Sequence, residues 1–431
     1  MSYPKNSVEP IGEFRTTVLE SGLKIVAEMH SYVRSVSLGL WVKIGSCDEN
    51  PKLNGASHFI EHMVFKGTQN RNAEEIATVL ESRGGELNAF TDREYTCFHA
   101  TVLKEDLALA LDVISDLVTH PLFDKKHFDK ERRVVLQELA QQEDAPEDLV
   151  FDKFAKMIWK DEPLGLPILG TPRTLASMKL PKLVQFYLDH YSLENMVLSV
   201  AGNFDFDELK KMANLALKDC SRGQKSLTLS RMPSKYHPKR RCELAKIEQQ
   251  HVIIGYEGTT LSDPDRYVAL ILCVYLGGGM GSRLFQEVRE RQALCYSIDV
   301  DLLSFAHSGV ISIYSAVDHK DVEKYFEIIG RELNLLKSQG IKDLDLERVK
   351  GQLRGSVLLS SEVMELRQES LGRSELIFER PVSVSEVIES INGVTAESVF
   401  NIANRVFQHN RESVFSLGKN CDSKSWRCCG R

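Results

Sequence analysis

Two histidines four residues apart, with a glutamate directly before the second, stand in the stretch NGASHFIEHMVFKGT: His58, Glu61 and His62. On a helix, side chains at i and i+4 share one face, so the two imidazoles occupy adjacent turns and can grip a single metal ion. Histidine nitrogen is a favoured ligand of zinc. Glu61 falls beside such a metal without having to bind it, which is where a general base for an activated water belongs. The H-x-x-E-H order is the inverted form of the zinc-peptidase helix motif. With 12 histidines in 431 residues, chance supplies it only about a few hundredths of a time per chain. The competing account is a pair of surface histidines with no metal.

A catalytic zinc takes three protein ligands and keeps one position open, so a third ligand must come from elsewhere. The stretch DKERRVVLQELAQQ offers Glu131 and Glu138, seven residues apart and hence on one helical face. Either carboxylate could reach the metal. Local sequence does not choose between them, and an ordinary solvated helix face would look the same.

These side chains need elements to hold them. SVSLGLWVKIGS alternates apolar and polar residues, as a half-buried strand does. GELNAFTDREYTCFHATV reads as two strands with a turn near Asp92 and Arg93, and MVLSVAG as another strand. Helical periodicity runs over Ala73–Arg83, Asp106–Thr119 and Asp129–Gln142. Strands mixed with helices, without strict βαβ alternation, predict an α+β fold with an antiparallel or mixed sheet covered by helices.

The chain also repeats itself. Lys104 with its following acids matches Lys320, Glu131-Arg132 matches Glu347-Arg348, and Gly202 matches Gly418, all at one offset of 216. Three matches at one offset predict two copies of one unit, at 12–217 and 238–420. The segment 218–237 between them is polar and basic, holds Pro233 with Pro238 just beyond it, and reads as an exposed linker. The offset sets Arg354 opposite Glu138, a cation where a metal ligand would be, so the second copy is expected to be metal-free. Gly277, Gly278 and Gly279 lack the G-K-[ST] of a phosphate loop.

Together these segments resemble the pitrilysin/insulinase family of zinc metallopeptidases, especially its short processing-peptidase branch, from about Phe14 to Gly418. The resemblance implies two homologous domains forming one half of a clamshell. It implies one zinc ion per chain held by His58, His62 and Glu138, with Glu61 as base and Glu131 orienting a ligand. Asn88 and Ala89, in LNAFT, match the family's edge strand, which pairs with substrate backbone. Arg289 and Tyr296 match its arginine–tyrosine pair at the same spacing of seven, whose donors face the substrate carbonyl. Where the family often has G-L-A-Y, this chain has Ala293-Leu294-Cys295-Tyr296, and the change from glycine bears on the local turn. The activity implied is zinc-dependent hydrolysis of unfolded peptides or presequences, by a homodimer or a heterodimer with a related chain. The rival is a non-catalytic or partner-dependent structural or processing subunit of a larger complex. An intact set of site residues favours the enzyme.

The bulk numbers agree with that class. Hydrophobic residues make 42% and charged residues 27%, as in a globular protein, and a net charge of -7 argues against a nucleic-acid binder. No apolar run approaches the length of a membrane span. The N-terminal stretch lacks an apolar signal core and contains Glu9 and Glu13, which points to the cytoplasm, with the mitochondrial matrix as the other compartment. Nine scattered cysteines without a C-x-x-C pair predict mostly reduced thiols, and the tail 421–431 reads as a loose end.

Overall fold

The computed structural model describes residues 12–217, 231 and 233–421. The first copy contributes strands β1 (Glu13–Val18), β2 (Lys24–Met29), β3 (Ser35–Val42), β4 (Glu86–Thr91), β5 (Thr96–Leu103) and β6 (Met196–Gly202). They form one sheet in the order β1-β2-β6-β3-β5-β4, antiparallel throughout except where β2 runs parallel to β6. Helices α1 (Ala56–Val64), α2 (Ala73–Glu81), α3 (Leu107–Thr119), α4 (Lys125–Glu143), α5 (Pro146–Ile158), α6 (Pro172–Ser177), α7 (Leu180–His190) and α8 (Phe206–Ala216) complete the copy. Val36, Leu38, Leu40 and Val42 of β3 enter one large core with apolar residues of α1, α3, α4 and α7.

The second copy has β7 (Arg240–Leu244), β8 (Gln250–Glu257), β9 (Cys295–Ser304), β10 (Gly309–Val317) and β11 (Ser413–Gly418). Its helices are α9 (Arg266–Gly277), α10 (Val322–Gln339), α11 (Asp343–Ser361), α12 (Met364–Phe378), α13 (Val384–Gly393) and α14 (Ala396–Val406). The sheet order is β7-β11-β8-β10-β9, and only the β7–β11 pair is parallel. Strand for strand this is the wiring of β2-β6-β3-β5-β4. The repeat legible at an offset of 216 is therefore a repeat of topology. The fold is mixed α/β with two sheets, each covered by helices.

Packing does not follow the two consecutive segments. Of the described residues, one compact unit comprises 12–139, 166–217, 231 and 357–387; the other comprises 140–165, 233–356 and 388–421. The equivalent helices α5 and α12 are exchanged. Within the first unit α12 covers the second face of the sheet: Met364 and Leu371 join Val26, Trp41, Cys97 and Val197 in a core. Gln368 Nε2 donates to Ser199 Oγ at 2.6 Å, and Arg367 Nε donates to Glu28 Oε2 at 2.9 Å. This explains why β3 is buried on both faces rather than half-buried as its alternation suggests. Its polar side, Ser37 and Gly39, lies under a helix from the far end of the chain. Within the second unit α5 lies on β8 and β11 in the same way. Gly39 and Gly255 occupy the same place in the two sheets, and each admits the exchanged helix closely: a Cβ would strike Gln368 at one and Phe154 at the other.

One expectation needs correction. The linker is not simply exposed. Residues 218–230 and 232 lie outside the described residues, but Arg231 is tied to Asp48 at 2.8 Å and 2.6 Å, and buried Tyr236 donates to Gly255 O at 2.8 Å. Among the cysteines, expected to be mostly reduced, Cys47, Cys97, Cys273 and Cys295 are free, whereas Cys242 of β7 and Cys421, three residues beyond the end of β11, form a disulfide with Cα atoms 5.5 Å apart. Of the tail, only Cys421 falls within the described residues. No helix among the described residues is long and apolar enough to cross a membrane.

Candidate metal centre

Helix α1 turns Phe59, Ile60, Met63 and Val64 into the core and leaves His58 and His62 on its other flank. Helix α4 buries Phe128, Val135 and Leu139, and the Phe128 ring stacks on Phe59 with centroids 4.9 Å apart. That stack brings the glutamate face of α4 to the histidine face of α1.

His58 Nε2 lies 3.5 Å from Glu138 Oε1, and His62 Nε2 lies 3.3 Å from Glu138 Oε2. One ligand atom from each of the three residues falls within 4.8 Å of the others, the only such group among the described residues. These separations fit a metal. Zinc bonds of about 2.0–2.2 Å in a tetrahedron put neighbouring donors roughly 3.3–3.6 Å apart. The donor set, two imidazoles and a carboxylate, is also one that zinc takes in catalytic sites. Glu131 stands behind the histidines. Its Oε2 is 3.4 Å from His62 Nδ1 and 3.3 Å from Lys66 Nζ, and it is buried. The geometry thus separates the two glutamates that local sequence could not: Glu138 faces both Nε2 atoms and Glu131 faces the other nitrogen of one ring.

Burial and mutual charge shift all four side chains of the site, His58 and Glu138 downward and His62 and Glu61 upward. Burial, with the neighbouring charge of His62, pulls the His58 pKa down to about 4, so its imidazole is neutral at ordinary pH. Glu138 is held below the usual carboxylate range, chiefly by its hydrogen bond to His62. Burial would depress His62, but the hydrogen bonds and charges of Glu138 and Glu131 outweigh it and raise its pKa. Burial raises the pKa of Glu61 against the hydrogen bond it accepts from Thr91.

Glu61 is held by Thr91, whose Oγ1 donates to Glu61 Oε2 at 2.5 Å. Thr91 ends β4, the outermost strand of its sheet. Sequence reading took LNAFT for its edge and missed this hydroxyl, although it stands in the same motif. Asn88 and Ala89 pair with His99 and Phe98 of β5. The Ala89 N–H donates to Asn88 Oδ1 at 2.9 Å. It therefore points away from β5 toward the open edge. His58, Glu61, His62, Asn88, Ala89, Glu131 and Glu138 all belong to the first unit.

Arg289 and Tyr296 belong to the second unit, where they meet each other: the Arg289 guanidinium carbon is 5.1 Å from the Tyr296 ring centroid and 4.6 Å from that of Phe285. Arg289 sits on a wide, π-helical turn, Phe285–Glu290. Tyr296 is 82% exposed. Between them Ala293 adopts φ +50°, a left-handed conformation suited to glycine, at the position where sequence reading noted alanine in place of glycine.

Comparison with known proteins agrees with this architecture. The sequence pattern of the insulinase family (peptidase family M16) matches residues 24–172, and that of the peptidase M16 inactive domain matches residues 177–353. An uncharacterized zinc protease of Streptomyces coelicolor is 37% identical over 423 residues, covering 97% of this chain and 92% of the relative. An uncharacterized zinc protease of Bacillus subtilis, YmxG, is 37% identical over 388 residues, covering 90% of this chain and 94% of the relative. The crystal structure of a protease from Helicobacter pylori shares the fold, with a TM-score of 0.88 at 18% identity over 95% of this chain and 100% of that one. On its sequence, and with a fold to match, the chain belongs to the insulinase family, peptidase family M16.

Proposed function

We propose that the chain is a zinc-dependent endopeptidase acting on unfolded peptides or presequence-like segments, with one zinc ion held by His58, His62 and Glu138. The observation that carries this reading is the convergence of those three side chains, ligand atoms within 4.8 Å of one another and each Nε2 3.3–3.5 Å from a Glu138 oxygen, with both histidines on the helix that also carries Glu61. Zinc, when bound, supplies Lewis acidity: it polarises the scissile carbonyl and lowers the pKa of water toward neutrality. Glu131 accepts from His62 Nδ1 and keeps Nε2 free for ligation. Thr91 holds one oxygen of Glu61, leaving Oε1 to take a proton from the attacking water and return it to the leaving nitrogen. The open edge of β4 receives the substrate backbone, the Ala89 N–H exchanging its Asn88 partner for a peptide carbonyl. Arg289 and Tyr296 are proposed to donate hydrogen bonds to the substrate carbonyl, and a second copy or a related chain to complete the working dimer.

Metal analysis and hydrolysis of an internally quenched peptide test this together. The purified chain should carry one zinc and cleave. Glu61→Gln should keep the zinc and lose at least about 100-fold in kcat, the lower range for a general base. A loss under tenfold would remove Glu61 from the role given it. Arg289→Ala and Tyr296→Phe should lower turnover at unchanged zinc content.

A further inference from the structure

Helix α1 carries both histidines and Glu61, yet it starts without a cap of its own. The residue before it, Gly55, has no side chain and adopts φ +93°, and a Cβ there would lie 2.8 Å from Leu169 O. A side chain able to cap the helix from this position is excluded. The first N–H groups of any helix lack partners within it. Here Glu49, on the loop before, supplies them from outside. Its Oε2 accepts from Gly55 N–H at 2.7 Å and from Asn54 Nδ2 at 2.8 Å, while Oε1 accepts from Ser57 N–H at 2.7 Å. Glu49 is only 5% exposed.

A buried carboxylate held by neutral donors is an expensive way to cap a helix. Burial raises its pKa to about 7 against the donors of Ser57, Asn54 and Gly55. Serine or aspartate caps do the same task at a surface position without that cost. The next residue along the helix gives the arrangement its sense. Ser57, one of the groups held, directly precedes His58. The two histidines are also supported unequally. His62 has Glu131 against its Nδ1, whereas the Nδ1 of His58 is buried and has no hydrogen-bond partner among the described residues. Among the described residues no hydrogen bond holds the His58 ring from behind, so its direction depends on packing, including the His62 ring 4.6 Å away between centroids, and on the backbone that carries it.

We propose that Glu49 is the positioning residue of His58: by clamping the start of α1 it does through the backbone what Glu131 does for His62 through the ring. This rests on the zinc reading above. The test measures zinc affinity by chelator competition, the visible spectrum of the cobalt-substituted protein, and thermal stability of the metal-free protein. Glu49→Ala and Glu49→Gln should weaken zinc binding by roughly 10–100-fold, as loss of a ligand-orienting contact does, and should alter the cobalt spectrum. Glu412→Gln is the control. It removes another buried carboxylate, paired with Arg240 in the second unit, and should lower stability while leaving zinc affinity alone. Should Glu49→Ala fail to fold, Glu49→Gln, of the same shape, decides. Variants at Glu49 that bind zinc within twofold of the wild type, with an unchanged cobalt spectrum, overturn the inference alone. A wild-type chain that takes up no zinc overturns the functional reading and this inference with it.

Discussion

Glu138→Gln and Glu131→Gln delete one negative charge each, seven residues apart on one helix, and should differ sharply in what they do to zinc. Glu138 offers its two oxygens to both Nε2 atoms, at 3.5 Å and 3.3 Å. An amide there leaves two imidazoles and a weak neutral donor, and zinc affinity should fall by well over 100-fold, more than about 2.7 kcal/mol. Glu131 accepts from His62 Nδ1 at 3.4 Å. In Glu131→Gln the amide oxygen can still accept that proton, so the tautomer survives. What goes is the charge. The gap between a charge-assisted and a neutral hydrogen bond is about 1–1.5 kcal/mol, or roughly tenfold. The new amide also faces the Lys66 ammonium, which sat 3.3 Å from the carboxylate, so a loss of roughly 10–100-fold is expected, as for other contacts that orient a metal ligand. Competition against a fluorescent chelator of known affinity reads both variants on one scale. If Glu131→Gln loses as much zinc as Glu138→Gln, or more, the assignment of ligand and supporter on α4 is reversed.

Other expectations come from strain, fit and charge. Ala293→Gly relieves a left-handed alanine at a cost in unfolded-chain entropy, for a net gain of about 0.5–1 kcal/mol by urea denaturation; no gain would mean the turn before β9 is unstrained. Gly372→Ala places a methyl against the Trp41 indole and should cost about 1–3 kcal/mol by overpacking, with zinc binding retained; a neutral result would show that α12 is not closely seated. Glu143, Asp144, Glu147 and Asp148 are exposed, and changing them to Gln and Asn should lower kcat/KM for peptides with Arg or Lys near the cleaved bond. That preference should also shrink as salt rises, since exposed charges act over only about 8–10 Å at ordinary ionic strength. Equal cleavage of acidic and basic peptides at low salt would leave these carboxylates as ordinary partners of a helix start, where Glu147 and Asp148 do stand.

What could be read in the chain was what lies close together along it. His58, Glu61 and His62 share one nine-residue helix, so spacing alone implied their common purpose. The third ligand was different. Periodicity offered Glu131 and Glu138 equally, and family resemblance chose between them, because the choice depends on how α4 rests on α1 through Phe59 and Phe128. Thr91 and Glu49 went unnoticed, since a hydroxyl at a strand end and an acid in a loop have no pattern of their own. The disulfide joins cysteines 179 positions apart, and no spacing rule reaches that far. The exchanged helices were hidden for a related reason. An apolar stripe says that a helix needs a partner and not which sheet provides it. Gly39 and Gly255, unusual inside strands, were the one local hint of something pressing close.

The exchange of α5 and α12 has a consequence for how the protein is made. A ribosome delivers the chain from its N-terminus, and the zinc-site sheet is complete once β6 has emerged. One face of that sheet, with Trp41 and Cys97 on it, stays bare until α12 has been synthesised. From Gly202 to Met364 the nascent chain therefore shows water an apolar surface it will later hide, the condition under which large proteins associate wrongly or recruit chaperones. Stop codons anywhere between Gly202 and Met364 should then yield insoluble product, even though every residue of the proposed zinc site is already present.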